Sequence, residues 1–326
     1  MPSRAPGPPC STHPTTRILG VTATPERLDG KGLADQFDDL VCGPSVRDLT
    51  EAGYLAPARI LSSPVHLDLS AVKTVGGDFA IGQLAEAMSS GKLIGDAVQH
   101  YTEHGAGRAA IAFCVTVGHA EQVAARFRAA GYRAASVDGS MRAADRDAVI
   151  GGLADGSLEL VTSCQLISEG LDIPNVGAAI LLRPTQSLAL YLQQVGRALR
   201  PKPDGSAAIL LDHAGNAVRH GHPSEPRVWT LDGRQGRGVK PGPGAESPPG
   251  YPEAAAGDAD LPEELAGRLI ELSAGEFDAY RLRTMRVRDA LAICETDADV
   301  RRLGRLRGYR PGWAYHALRE RAGATA

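Results

Sequence analysis

Cysteine clusters, an excess of charge of either sign and long apolar runs are all missing from this chain. Its five cysteines, Cys10, Cys42, Cys114, Cys164 and Cys294, lie far apart, with no CxxC pair and no histidine at metal-ligand spacing. That scatter excludes a disulfide framework and a zinc module, and it fits reduced cytosolic thiols. Lys and Arg number 35 against 38 Asp and Glu, for a formal net charge of −3. The balance excludes a histone-like binder, so any affinity for nucleic acid has to come from local patches. The longest apolar run, around Ala109–Val117, is far too short to span a bilayer, and the Pro-rich N-terminus has no apolar signal core. A soluble, cytoplasmic protein with no membrane partner and no metal site is the expectation.

What is present is a chain of 326 residues, 43% hydrophobic and 22% charged, with room for one or two compact domains. Met1–Thr16, rich in Pro, Ser and Thr, reads as a disordered lead. Arg17–Val21 (RILGV) reads as a short buried strand that Pro25 stops. From Ala109 to Leu211 apolar strand-like runs alternate with helical ones, the order of a parallel sheet covered on both faces. The strands expected are Ala110–Cys114, Ala134–Val137, Leu158–Thr162, Ala178–Leu182 and Ala207–Leu211. Between them Ala120, Val123, Ala124 and Phe127 repeat at i, i+3, i+4, i+7, and Leu188, Tyr191, Leu192 and Val195 do so again.

Asp232–Pro262, with clustered Gly and Pro, reads as a flexible linker, and Glu263–Arg321 as helical with a break at Arg310-Pro311-Gly312. Residues 241–280 carry nine acids and one base, whereas 281–326 carry eleven bases and five acids. An acidic spacer thus precedes a basic helical tail.

The segment Gln193-Gln194-Val195-Gly196-Arg197-Ala198-Leu199-Arg200 fits Q-x-x-G-R-x-x-R on a helix after a parallel strand. Arginines three apart lie on one helical face, where both guanidinium forks can reach one polyanion; the spacing alone fits a solvated pair equally well. Its neighbour is Ile167-Ser168-Glu169-Gly170-Leu171-Asp172-Ile173-Pro174, a loop in which Gly170 permits close backbone approach and Asp172 can accept from a hydroxyl.

In chain order, T-A-T-P (from Thr22), F-C-V-T (from Phe113), V-D-G-S (from Val137), S-E-G-L-D-I-P and Q-x-x-G-R-x-x-R resemble motifs III to VI of superfamily 2 helicases. The Thr22–Leu55 block, Asp212-His213-Ala214-Gly215-Asn216 and Gly308–Tyr315 narrow the resemblance to the RadD-like branch of bacterial and phage DEAD/DEAH-box DNA helicases. It covers most of Ile18–Leu231 and the last few turns. The fold it implies is α/β: residues 17–89 as the remnant of a first RecA-like domain and a connector, a second RecA-like domain over 90–231 with helices on both faces of its sheet, and a small helical tail over 263–326.

By this resemblance, two RecA-like domains close over ATP and Mg2+ while gripping single-stranded or forked DNA. Arg197 and Arg200 match arginine fingers aimed at the γ-phosphate, and Gln193 opens their motif beside Gly196. Gly170 and Asp172 match the loop at the nucleotide ribose. Thr22 and Thr24 match the segment that couples hydrolysis to domain closure, and Thr162 and Ser163 a strand end that meets the phosphodiester chain.

The sequence also departs from the family. Its Gly-Lys pairs, Gly30-Lys31 and Gly91-Lys92, are followed by Gly32 and Leu93, so neither completes G-x-x-x-x-G-K-[S/T], and no Asp-Glu dipeptide occurs. ATP and Mg2+ are therefore expected only with a complementary ATP-binding half, encoded separately or lost. The zinc module that often follows the second domain in RadD-like members is replaced by the Gly/Pro linker. The alternative is a non-hydrolysing module that holds nucleic acid or a partner helicase.

Lesser signals have two readings each. Tyr309, Trp313 and Tyr315 beside Arg305, Arg307 and Arg310 suit base stacking and phosphate pairing, or else packing of a terminal helix. Asp138-Gly139 reads as a turn, or as facing nucleic acid. Glu26 and Arg27 suit a helix cap or phosphate contacts at a domain interface.

Overall fold

The computed structural model describes residues 17–27, 32–62, 69, 72–76, 78–88, 91–164, 176–225, 227–232, 269–271, 296–309 and 312–323, with single positions 282, 287, 290, 291 and 294. The lead 1–16 and most of the linker lie outside the described residues. In chain order these hold α1 (Val46–Glu51), β1 (Ala58–Ser62), β2 (Thr74–Val75), β3 (Asp78–Phe79), α2 (Ile81–Met88), α3 (Gly91–His104), β4 (Ala110–Phe113), α4 (Val117–Ala129), β5 (Ala134–Val137) and α5 (Ala143–Asp155). There follow β6 (Leu160–Ser163), β7 (Ala178–Leu181), α6 (Leu188–Ala198), β8 (Ala208–Asp212), α7 (Asn216–His220), β9 (Ile270–Glu271), α8 (Asp297–Leu306) and α9 (Trp313–Gly323).

Seven strands form one sheet in the order β5-β6-β4-β7-β8-β1-β9, parallel except for the antiparallel edge strand β9. The five strands expected from apolar runs are all present, within two residues at each end. They read as continuous apolar runs because both faces are covered. Alternation along β4 shows how. Ile111 and Phe113 pack with Tyr191, Val195 and Ala198 of α6, with Leu153 of α5 and with Ala217 of α7. Ala110 and Ala112 pack with Ile94, Ala97 and Tyr101 of α3 and with Ala120, Val123 and Phe127 of α4. Small alanines on that second face leave room for the ring cluster of Tyr101, Phe127 and Tyr132, whose centroids lie 5.2–5.7 Å apart.

Three expectations change. Arg17–Val21 is not a strand: no described strand pairs with it, and Leu19 and Val21 are 90% and 91% exposed. A strand needs a neighbour for its N–H and C=O groups, and these residues have none here. Conversely, β1 and β9 join the sheet without having been anticipated. β1 pairs with β8 across 150 residues of sequence, Ala58 opposite Ala208. Within the stretch read as helical, β9 pairs with β1 and is held there by a two-pronged ion pair, Arg59 Nε and Nη2 each donating at 2.7 Å to Glu271.

The tail forms a core of its own from Val300, Leu303, Ala317, Leu282, Ala290 and Cys294. Thr296 and Asp299 make a capping box at the start of α8. Its first break comes at Gly308, with φ +64°, ahead of Arg310-Pro311, which lie outside the described residues.

Candidate functional site

Helix α6 begins where the Ser187 hydroxyl accepts the Leu190 N–H at 3.3 Å. It buries Ala189, Leu190, Tyr191, Gln194, Val195 and Ala198. This leaves Gln193 and Arg197 half-buried and Gly196 exposed. A Cβ added at Gly196 meets none of the described residues within 4 Å. Glycine inside a helix costs about 1 kcal/mol relative to alanine. Among the described residues, neither packing nor backbone conformation calls for a glycine there.

Arg200 departs from the expected shared helical face. The helix ends at Ala198 with Leu199 as its C-cap, and Arg200 stands in the turn beyond, because a residue before proline, here Pro201, is steered out of the α region. That turn is tied down. The Leu199 carbonyl accepts from Ala56 N–H at 2.7 Å, and the Lys202 ammonium donates to the carbonyls of Ala198 and Arg200. Burial, together with the nearby Arg108 charge, lowers the Lys202 amine to about 8.

The Thr22–Pro25 segment comes directly to this helix. Thr22 Oγ1 accepts from Thr24 N–H and donates to the Thr24 carbonyl, both at 3.1 Å, and Thr24, Pro25 and Glu26 are buried. Gln193 Nε2 donates to Thr24 Oγ1 at 3.3 Å. The first and last of the ordered motifs, 169 residues apart, therefore meet through their side chains.

At the ends of the neighbouring strands the picture differs. The Thr162 hydroxyl is fully buried and donates to the Ala120 carbonyl of α4 at 2.9 Å, a role inside the fold. Ser163 is also buried, and its Oγ has no hydrogen-bond partner. Gly170 and Asp172 lie outside the described residues. Asp138 caps a tight turn by accepting from the N–H and hydroxyl of Ser140, which holds its carboxyl below the usual range. In the tail, Trp313 packs against Gly304 and lies 4.7 Å from Tyr309, whereas Tyr315 is 64% exposed.

A buried polar group between β7, β8 and α6 went unanticipated. Asp212, wholly buried, accepts from the N–H groups of Ala214 (3.1 Å), Asn216 (3.1 Å) and Ala217 (2.7 Å) at the start of α7. Burial pushes its carboxyl up, while those N–H groups pull the other way. Asn216 in turn accepts the Thr185 N–H at 3.0 Å and donates to the Arg183 carbonyl at 2.8 Å. The Asp212-His213-Ala214-Gly215-Asn216 string was the available signal, since Asp followed by Gly and Asn marks a turn with side-chain caps.

Among the described residues no group of His, Cys, Asp and Glu is arranged to hold a metal ion, and no helix is long and apolar enough to cross a membrane. Residues 93–202 match the helicase conserved C-terminal domain. The chain is similar to the "51.5 kDa protein" of a Lactococcus phage, 35% identical over 176 residues, or 54% of this chain and 38% of that protein. It is also similar to the putative ATP-dependent helicase IRC3 of Saccharomyces cerevisiae, 26% identical over 179 residues, 54% of this chain and 26% of that protein. Among solved structures, a fragment of a putative HsdR subunit of a type I restriction enzyme from Vibrio vulnificus YJ016 is 24% identical, covering 62% of this chain and 40% of that one at a TM-score of 0.47. The chain thus spans well under half the length of these two relatives. Sheet order, motif order and the matched segment agree that residues 93–202 form a helicase conserved C-terminal domain on a mostly parallel α/β sheet.

Proposed function

We propose that this domain is the second half of an ATP-driven motor on DNA, with Arg197 and Arg200 as its arginine fingers. The observation that carries the reading is the exposed face of α6. Gly196 sits there at a cost to the helix with open space above it, directly before Arg197 and one turn from Gln193. A glycine that no described contact calls for suits close approach from outside, and the Arg197 guanidinium beside it, with Arg200 in the turn that ends the helix, suits a phosphate chain. A complementary RecA-like half that binds ATP would close on this face. Gln193, already bonded to Thr24, would link that closure to the Thr22–Pro25 segment.

The residues of this chain do not fit the rest of an ATP site. No Gly-Lys pair is followed by Ser or Thr, and no Asp-Glu dipeptide occurs. The phosphate cradle and the Mg2+ ligands therefore belong to the complementary half, as do Lewis-acid stabilisation of the phosphates and orientation of water. In this half, Arg197 and Arg200 bind the phosphate chain and oppose charge developing on the γ-phosphate, an effect worth roughly 10³–10⁵ in rate. Gly170 and Asp172 would complete the ribose side, and Ser163 would face the nucleic-acid strand. Fingers act only on a phosphate held elsewhere, so the chain alone is expected to release no phosphate from ATP with single-stranded DNA present. Adding a RecA-like domain that carries G-x-x-x-x-G-K-[S/T] and DEAH is expected to restore hydrolysis. Hydrolysis by the chain alone, abolished by Arg197→Ala, would overturn this division of labour. DNA binding without hydrolysis in the mixture would favour the non-hydrolysing module.

A further inference from the structure

Helix α6 takes its direction from the five residues leading into it, Arg183–Ser187, of which Arg183, Pro184, Thr185 and Ser187 are buried. A buried loop is costly unless its polar groups are paired. On the inner side Asn216 does this for the Thr185 N–H and the Arg183 carbonyl. On the outer side most of the bonds go to one residue more than a hundred positions away. Asp78, on the β2–β3 hairpin that stands apart from the main sheet, accepts three hydrogen bonds from this one loop. Its Oδ1 takes the Gln186 N–H at 2.7 Å, and its Oδ2 takes the Thr185 hydroxyl at 2.9 Å and Arg183 Nη2 at 3.3 Å. Its own neighbour, Phe79 N–H, makes a fourth at 2.9 Å.

The hairpin is itself anchored, with Phe79 packed alongside Leu84, Met88 and Val115 and lying under the Arg219 guanidinium at 5.3 Å. Thr74 adds a bond to the Gln186 side chain at 3.1 Å. Thr185 then passes the constraint onward, since its Oγ1 accepts the N–H of Ser187, the N-cap of α6, at 3.0 Å.

We propose that Asp78 is a positioning residue for α6, fixing the Arg183–Ser187 loop and with it the presentation of Gln193, Arg197 and Arg200. The link to turnover rests on reading α6 as the finger helix; the link to the loop does not. A carboxylate suits the task because its two oxygens take donors from a backbone amide, a hydroxyl and a guanidinium at once, and charge-assisted bonds are the stronger kind.

The test is amide hydrogen exchange on the full chain, read at Gln186 and Leu190 against β4 as an internal reference. Asp78→Ala is expected to speed exchange at Gln186 and Leu190 by about tenfold or more while β4 changes far less. Asp78→Asn keeps one acceptor oxygen and serves if the alanine variant folds poorly, with an expected smaller change at the same amides. Unchanged exchange at Gln186, or a change no larger than that in β4, overturns the proposal. With the complementary ATP-binding half present, Asp78→Asn is expected to lower kcat with KM for ATP unchanged, and to lower it no further in an Arg197→Ala background. Losses that add in the double variant would show that Asp78 does not act through the finger. Failure of the finger reading looks different: Arg197→Ala then turns over like wild type, and the Gln186 exchange result is unaffected.

Discussion

Two buried histidines make this fold sensitive to mild acid. His119, in the first turn of α4, accepts the Val115 N–H at Nδ1 (3.4 Å), and its Nε2 is buried with no hydrogen-bond partner. His213, just past β8, has a buried Nε2 likewise without a hydrogen-bond partner and faces the His100 ring at 5.1 Å. Burial lowers His119 to about 4, and burial together with the His100 charge lowers His213 to about 3, from an ordinary 6.5. Unfolded, both bind a proton below about pH 6.5; folded, neither does until far lower. The stability they permit is therefore fully present above about pH 6.5 and is lost as pH falls toward the folded values, at about 1.4 kcal/mol per pH unit for each histidine. Between pH 7 and pH 5 that amounts to about 2 kcal/mol each, or about 4 kcal/mol together, a large share of the 5–15 kcal/mol of an ordinary domain. Carboxylates of unfolded chains titrate near pH 4, so the window above pH 5 isolates the histidines. Urea unfolding at pH 7, 6 and 5 measures the loss. His213→Phe and His119→Asn, the latter keeping an acceptor for Val115 N–H, are each expected to remove about half of it. The same pH dependence in wild type and both variants, or a stability flat from pH 7 to 5, would refute the reasoning.

Three further outcomes follow from the same structure. Asp212→Asn puts an amide donor among three N–H groups that now share one carboxylate, and is expected to cost about 2–4 kcal/mol in urea unfolding at pH 7. A chain ending at Pro262 lacks the eleven bases of the tail and is expected to bind single-stranded DNA more weakly and with a shallower salt dependence than the full chain; equal affinities and slopes would make the tail a packing element. Tyr315, exposed where Trp313 is packed, is the residue whose alanine variant should lose a stacking contribution, roughly 1–3 kcal/mol.

The central sheet was legible because a strand buried on both faces leaves an uninterrupted apolar run, and five such runs alternate with helical stripes between Ala109 and Leu211. The edge of the sheet was not. Ala58–Ser62 is one short run after a proline, and its place depends on β8, which the chain reaches 150 residues later. β9 is two residues long, fixed by Arg59 and Glu271 rather than by any pattern of its own. The fate of Thr162 was readable in principle: period-two alternation puts it on the same face as Leu160, toward α4, and a hydroxyl there satisfies a helix carbonyl. Pro201 likewise marked the end of α6 before Arg200. Asp78 left no trace in the sequence, since its three loop contacts exist only once the hairpin has packed. Helix stripe, glycine and arginine of the candidate site were all visible; the bond from Gln193 to Thr24 was not.

The most direct measurement of the central claim is steady-state ATP turnover, with single-stranded DNA saturating, by this chain combined with a complementary ATP-binding half. Wild type is compared with Arg197→Ala and Arg200→Ala, with assembly of each pair followed by fluorescence anisotropy. Fingers act on charge that develops in the transition state, so each variant is expected to assemble normally, to keep its KM for ATP, and to lose kcat by roughly 10³-fold or more. Turnover by both variants equal to wild type, in pairs that assemble equally well, would contradict the assignment of Arg197 and Arg200.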